Sequence, residues 1–480
     1  MYANDVRLPK FPLPTLTDTF TRLRRSVSVF STPEQLKEFD AMVHDAAAQL
    51  ADAQQALVEL SERFVNWLEP IWEEQAYLRQ RYTVVVNSNV FASRNVDLPV
   101  PVFSDPHKRA ALCIIESLHF RKLLIEESVK ELGVPATRPL CMQQFKKYYA
   151  TRVPKRGVDD LVVTHPMDAT HAILMYKGAM FAIKLFRDDL SPDDSELNFQ
   201  ETLSCIEAGL RLLDERFKAM HSSGSQHGLG NCIGLMTAAH RDVAADIYHE
   251  LLEANGGHNR KYFGLLHRET LTIVSLDDAP VHNHNEGLMR ACHKDPHNRW
   301  YDRSTSQIVC SNGVSLFQAE HSPMDAIVSS TTPTDTVSIF GQHFIRSLRG
   351  DAIGIRHREQ WDPEKQVTVF EWVIPQTTKD KLISVHTSHH ASFEHCEVAL
   401  FEFTKFGRKA LRDVGVAPDA FVQASLQLAY FRLTKKLAPT TTTRADFGSI
   451  SLFFLAADQI GSSSSFAPPP LRPHQYSTRS

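Results

Sequence analysis

The apolar positions change their spacing several times along the chain, and each change predicts a different element. Behind Thr32-Pro33-Glu34-Gln35, Ala and Leu recur at helical spacing to about Tyr82. The tetrapeptide is a T-x-x-Q box, with Thr as cap, Pro at the first helical position and Gln able to bond back to the cap. The first ninety residues therefore read as mainly helical. Beyond them, short strand-like runs (Val84 to Val86, Leu161 to Val163, Ala172 to Met175, Phe181 to Leu185, Leu271 to Val274) alternate with helical spacing around residues 110–131, 195–220 and 237–254. That mixture predicts an α/β fold. Ser306 to Phe317 sets Asn312-Gly313 between two strand-like runs, a strong hairpin signal. His321 lies just past the second run, and Ser322-Pro323-Met324-Asp325 reads as a strand-to-helix turn with Ser as cap and Pro at the first helical position. A last helix is predicted from Ala417-Pro418-Asp419, with Phe421, Ala424, Leu428 and Phe431 along one face. No repeat of solenoid period is present.

A length of 480 residues allows two or three domains, and a hydrophobic content of 42% excludes a wholly disordered chain. The net charge is -4, with 52 basic against 56 acidic side chains and no long basic run, which argues against a nucleic-acid or anionic-membrane partner. Apolar stretches such as Leu452 to Ala457 are far too short to span a bilayer. Seven cysteines, at 113, 141, 205, 232, 292, 310 and 396, stand singly without a C-x-x-C pair. They fit a reducing intracellular compartment better than a disulfide framework or a thiolate zinc site. Thr19 to Phe30, Arg-rich and free of acids, reads as an exposed helix face rather than a presequence, and the ending Tyr476 to Ser480 is not a peroxisomal signal. Thr440 to Thr443, Ser462 to Ser465 and Pro468 to Pro470 mark residues 439–480 as a divergent low-complexity tail, expected to be disordered.

A histidine at a strand end with a carboxylate four residues on suits a general base, because the ordinary histidine pKa of about 6.5 lies near working pH. An incidental histidine in a capped turn fits the same letters. His282-Asn283-His284-Asn285-Glu286, with His293 and His297, reads as a polar surface loop rather than a metal site, and His386 with His389-His390 likewise. Gly224 to Gly230 lacks the order of a phosphate loop and reads as flexible. Cys310 and Cys141 read as packing residues.

His297-Asn298-Arg299-Trp300-Tyr301-Asp302-Arg303-Ser304, the hairpin, and Glu320-His321-Ser322-Pro323-Met324-Asp325-Ala326 together resemble the active-site signature of the carnitine/choline O-acyltransferase family. Further blocks resemble the family's motifs in its order. They are Leu8 to Pro14; Trp67-Leu68-Glu69 with Trp72 and Ala76-Tyr77-Leu78; Pro139 to Phe145 with Arg152-Val153-Pro154; Ser275 to Asp278; and Phe406-Gly407-Arg408 through Gln427-Leu428-Ala429-Tyr430. The likeness runs from about residue 8 to about 433.

The resemblance implies two lobes of the chloramphenicol-acetyltransferase-like kind, with a tunnel between them for acyl-CoA and the acceptor. It divides the chain into an N-terminal helical segment (1–90), a catalytic-histidine lobe (91–370) and a partial second, CoA-binding lobe (371–438) ahead of the tail. His321 matches the catalytic histidine, which deprotonates the hydroxyl of carnitine or choline for direct attack on the thioester, with no acyl-enzyme. Asp325 matches the acid that follows it; a supporting role and helix capping explain it equally well. Arg408 and Arg412 match two basic positions, usually Lys, that bind the phosphates of CoA, and Asp419 matches an acid at the nucleotide end. Without the resemblance, Arg408 and Arg412 would read as a solvated helix face.

The resemblance makes acyl-CoA and carnitine, or choline, the substrates, with no resident cofactor or metal, a monomeric state, and a mitochondrial or peroxisomal location. Ser322-Pro323 does not separate carnitine from choline. The chain departs from the family after Arg432: Thr440 matches a threonine, but Thr441 and Thr442 stand where a tyrosine and a glutamate belong. The rest of the second lobe is missing, with its carboxylate-binding arginine, oxyanion motif and chain-length residues. A truncated or frameshifted origin is therefore expected, together with exposed core surface. A non-catalytic member that keeps partial CoA binding is the alternative to an enzyme.

Overall fold

The computed structural model describes residues 1–3, 5–94, 104–131, 133–134, 138–191, 195–224, 227–325, 328 and 361–437. The chain opens with three helices, α1 (Leu16–Val27), α2 (Pro33–Gln49) and α3 (Ala51–Arg63), and a short α4 (Leu68–Trp72) that runs into a π-helical turn, Glu73–Leu78. At α2 the capping box forms as its residues dictate: Gln35 N–H donates to the Thr32 hydroxyl at 3.3 Å, and Thr32 N–H donates to the Gln35 side chain at 2.9 Å. Val84 to Val86 is not a strand. It is a turn in which Val86 takes φ 55° while Val84 and Val85 are buried in the core. A short β-branched run looks the same in sequence whether it is paired or merely packed.

Strands β1 (Val90–Arg94), β2 (Gly133–Val134), β3 (Arg138–Pro139), β4 (Ala150–Val153), β5 (Asp160–Val163), β6 (His171–Tyr176), β7 (Ala179–Lys184), β8 (Thr270–Asp277), β9 (Ser306–Cys310), β10 (Ser315–Ala319) and β11 (Val367–Val369) follow. Among them run α5 (Pro106–Ile125), α6 (Phe199–Ser222), α7 (Arg241–Glu253), α8 (Arg260–Gly264) and α9 (His284–Cys292). After β11 come α10 (Gln376–Phe393), α11 (Arg408–Asp413) and α12 (Pro418–Thr434). Seven strands make one mixed sheet in the order β1-β10-β9-β8-β6-β7-β11, in which β8 runs parallel to both β6 and β9 and the other pairs are antiparallel. β4 and β5 form a separate two-stranded ribbon beside it.

The sheet is covered on both faces. Ala172 and Leu174 of β6, with Phe181 and Ile183 of β7, pack among Ala110, Ile114, Leu203 and Ile206 of α5 and α6. Ile173 and Met175, with Met180 and Ala182, pack on the other face among Ile233, Met236, Ile247, Leu382 and Phe393 from the 233–238 turn, α7 and α10. Burial on both sides explains why these strands read as continuous apolar runs rather than alternating ones. Gly209 lets α6 lie against β7, since a Cβ there would meet the Phe181 ring at 2.2 Å. The β9–β10 hairpin turns through Gly313 at φ 79°, as Asn-Gly predicts.

Two other sequence-predicted segments differ in detail. Residues 282–286 do not form a loop but start α9, where the Asn283 side chain accepts from Glu286 N–H at 3.0 Å. Ser322 starts no helix at Pro323, because its hydroxyl donates to the Glu320 carboxylate instead of capping. The tail expected beyond residue 438 lies outside the described residues.

Candidate active site

His321 sits two residues past the end of β10, an interior strand held by β1 and β9. At Glu320 the backbone leaves the ladder but stays tied, with Glu320 N–H donating to the Arg303 carbonyl at 3.0 Å. The imidazole is buried, 2% exposed. Its Nδ1 lies 2.9 Å from the Tyr77 hydroxyl, and the two rings stack at 5.3 Å and 21°. Tyr77 belongs to the π-helical turn, a wider turn of the kind often found at functional sites. Burial foremost, then the Asp325 and Glu320 carboxylates, pushes the Tyr77 hydroxyl well up, so the phenol stays protonated.

Beneath this pair lies a chain of buried charges. Glu320 turns one carboxylate oxygen to Ser322, whose N–H donates at 3.1 Å along with its hydroxyl, and the other to Arg152 Nη1 at 3.4 Å. Arg152 Nε donates to Asp159 at 2.7 Å, and Asp159 takes Arg241 Nε on the same oxygen at 2.6 Å. Arg241 then grips Asp302 with two bonds, 2.7 and 3.2 Å. Arg81, partly exposed, adds a further cation to Asp159 at 3.0 Å. Three carboxylates and three guanidiniums alternate, so each buried charge faces an opposite one, the arrangement that makes ion burial tolerable. For Asp159, burial pushes upward, but Arg241 and Arg152 outweigh it and hold the carboxyl below its usual range. Burial pushes the Asp302 carboxyl up to about 6 against the pull of Arg241, which leaves it ionised at neutral pH.

The 297–304 segment is built in by the same means. Arg299 makes two bonds to Asp277, at 2.8 and 2.7 Å, Asn298 donates to the Leu276 carbonyl at 2.9 Å, and Trp300 and Tyr301 fill the core. Arg303 donates to the Thr151 hydroxyl at 2.7 Å and to the Thr270 carbonyl. Arg303 and Ser304, just ahead of β9, thereby lie at the same end of the sheet as His321, which follows the antiparallel β10.

A model of the choline/carnitine O-acyltransferase family matches residues 11–445. The chain belongs to this family. It is 25% identical over 442 residues to the muscle isoform of carnitine O-palmitoyltransferase 1 from Rattus norvegicus, covering 90% of this chain and 54% of that protein. Against human choline O-acetyltransferase it is 25% identical over 454 residues, with 90% and 57% covered. Against the mitochondrial carnitine O-acetyltransferase of Saccharomyces cerevisiae it is 24% identical over 456 residues, with 92% and 64% covered. The chain thus spans about half the length of the palmitoyltransferase relatives it matches.

In this choline/carnitine O-acyltransferase family member the sequence-predicted site residues fall into two groups. His321 and Asp325 are close to Tyr77; Asp325 is half-buried, and its N–H donates to the Gln144 side chain at 2.9 Å. Arg408 and Arg412 lie on the exposed α11, and Asp419 is in the first turn of α12. Among the described residues, no hydrogen bond or ion pair joins these three directly to His321 or Tyr77. The Phe406 and Phe421 rings, 5.7 Å apart, bring α11 and α12 together. Missing from the sequence-predicted site are Tyr77, Glu320, Arg152, Asp159, Arg241 and Asp302. Tyr77, Arg152, Glu320 and Asp302 stand inside family-like blocks, and that was their only signal. Asp159 and Arg241 carry none. Surface cavities of about 450 Å³, between Val163 and Thr170, and about 190 Å³, at the end of β8, are lined by neither His321 nor Tyr77. Among the described residues, no helix is long and apolar enough to cross a membrane and no group of His, Cys, Asp and Glu has metal-binding geometry.

Proposed function

We propose that this chain is the histidine-bearing part of a carnitine O-acyltransferase, which moves an acyl group reversibly between CoA and the hydroxyl of carnitine with His321 as general base. The observation that carries the reading is the buried His321 ring held at Nδ1 by the Tyr77 hydroxyl. With the ring hydrogen on Nδ1 and donated to the Tyr77 oxygen, the lone pair sits on Nε2, where it can accept the proton of an alcohol. The acceptor oxygen then attacks the thioester carbonyl, a C–O bond forms, the C–S bond breaks, and the proton leaves Nε2 on the CoA sulfur. Asp325 supports the site as the nearby carboxylate. Base assistance of this kind contributes about 10²–10⁴-fold.

Acyl-CoA is a substrate here and not a resident cofactor. Arg408 and Arg412 are assigned to its phosphates and Asp419 to its nucleotide end. Two cations on one exposed helix suit a polyanion, and Arg retains bidentate phosphate bonding. Residues 371–438 are read as a partial second lobe of the chloramphenicol-acetyltransferase-like kind, joined to the large sheet through α10, whose Leu382 and Phe393 pack against it. Carnitine is preferred as acceptor because carnitine acyltransferases predominate among the relatives, and a mitochondrial location is proposed from the yeast relative's name.

One observation favours a second reading, a non-catalytic member with residual CoA binding. Phe401 is 83% exposed in the segment before α11 and Leu433 is 85% exposed at the end of α12, apolar surface of the kind a partner covers. The two readings separate when CoA thiol release is followed from acetyl-, octanoyl- and palmitoyl-CoA with carnitine or choline. Release that depends on carnitine supports the enzyme, release that depends on choline moves the acceptor, and no release from folded protein with CoA binding intact supports the second reading.

A further inference from the structure

Arg152 spends its guanidinium in three directions. Nε donates to Asp159, a carboxylate it shares with Arg241 and Arg81. Nη1 reaches Glu320, the residue before His321, at 3.4 Å. Nη2 reaches the carbonyl of Tyr77, the ring partner of His321, at 2.8 Å and that of Gln80 at 3.3 Å. One side chain, itself 1% exposed, therefore touches both chain segments that meet at the His321–Tyr77 bond.

Each end is closed by further bonds. Glu320 is pinned through its N–H to Arg303 and through its second oxygen to Ser322, so the backbone on both sides of His321 is tied to the same carboxylate. Arg152 is in turn fixed at its own backbone, with N–H donating to the Asp302 carbonyl at 2.8 Å and β4 paired to β5 at Leu161. Lys147 also holds the π-helical turn, through Glu73, but from a more exposed position where an ion pair contributes less. A lysine at 152 would keep the charge and lose the fork, since a single ammonium cannot reach Asp159, Glu320 and the Tyr77 carbonyl together.

We propose that Arg152 is a positioning residue of the His321–Tyr77 pair, the guanidinium that, among the described residues, locks the strand end carrying the histidine to the π-helical turn carrying its ring partner. Its kinetic consequence rests on the proposed base role of His321; the positioning itself is read without turnover.

The test uses the full chain and the variants Arg152→Lys, Tyr77→Phe and the double variant, each first shown to melt cooperatively. Long-range spectra of ¹⁵N-histidine-labelled protein, with the His321 signal identified by its loss in His321→Gln, report the tautomer. The parent should show one fixed tautomer with the hydrogen on Nδ1, and Arg152→Lys a mixture of tautomers or an exchange-broadened signal. In the acyl-transfer assay Arg152→Lys should lower kcat about 10²-fold, the scale of a misplaced catalytic group, with KM for acyl-CoA within about threefold of the parent. That loss should shrink by at least half on a logarithmic scale in the Tyr77→Phe background, because the two changes act through one contact.

An unchanged His321 signal in folded Arg152→Lys overturns the proposal, as does a kcat loss undiminished by Tyr77→Phe. A parent without turnover whose fixed tautomer Arg152→Lys releases upholds the positioning and removes the base role. If Arg152→Lys does not fold, Glu320→Gln opens the other end of the same link. It should release the tautomer likewise, and an unchanged signal there overturns the proposal.

Discussion

Asp159 accepts from three guanidiniums, those of Arg152, Arg241 and Arg81, and also from Lys155 N–H at 3.1 Å. Removing its charge leaves Arg152 and Arg241 buried beside too little negative charge, a fault that costs about 3–5 kcal/mol when one partner of a buried ion pair is lost. Asp159→Asn is therefore expected to lower unfolding stability by that order in a denaturant titration; a loss under about 1 kcal/mol would contradict the network's weight. At this scale the sequence was informative in one direction only. His321 was legible because its neighbours match a family block. The residues that hold it were not, because whether Asp159 or Arg241 is a solvated charge or a buried one depends on strands and helices far apart in the chain. Ser322 shows the same limit. Its letters suit a helix cap, and only the folded position of the Glu320 carboxylate decides that the hydroxyl goes there instead.

Among the elements, α10 carries a cluster of histidines against the segment after α9. His389 Nε2 donates to the His293 carbonyl at 2.7 Å, His386 and His390 lie 4.8 Å apart, and His297 faces His386 at 6.4 Å. Burial pushes both His293 and His389 down to about 4; Lys294 adds to the first, and His293 and its histidine neighbours add to the second. Both are neutral in the fold and gain a proton on unfolding once the pH drops below about 6.5, so their stability contribution is complete above that pH and is lost between about 6.5 and 4. The melting temperature should fall as pH goes from 7.5 to 5, and His389→Gln, which keeps a donor for the His293 carbonyl without titrating, should flatten that fall. A pH dependence identical to the parent's would contradict the assignment. Elements with a strong local signal (the capping box at Thr32, the Asn312-Gly313 hairpin, the α12 start at Pro418) were legible before any tertiary contact. Val84 to Val86 was not, since apolar character states burial and not pairing.

Across the whole molecule, the sheet and its two helical layers form a packed body, while residues 400–437 show a different balance. Phe401, Phe403, Phe406, Leu426, Leu428, Phe431 and Leu433 are all exposed, and so is Phe421, which the sequence sets on one helix face with Leu428 and Phe431. The helix is present where the sequence places it; its periodicity could not say what covers it. An apolar surface of this extent favours association. Light scattering of the purified chain should rise with concentration and fall in Phe401→Ser/Leu433→Ser; scattering independent of concentration in the parent would contradict this.

The central claim, that His321 is the base of an acyl transfer, is tested most directly by the rate of CoA thiol release from acetyl-CoA in the presence and absence of carnitine, parent against His321→Ala. The account predicts carnitine-dependent release that falls at least about 10²-fold in the variant while its melting temperature and CoA binding stay near those of the parent. Carnitine-dependent release that survives His321→Ala would contradict it.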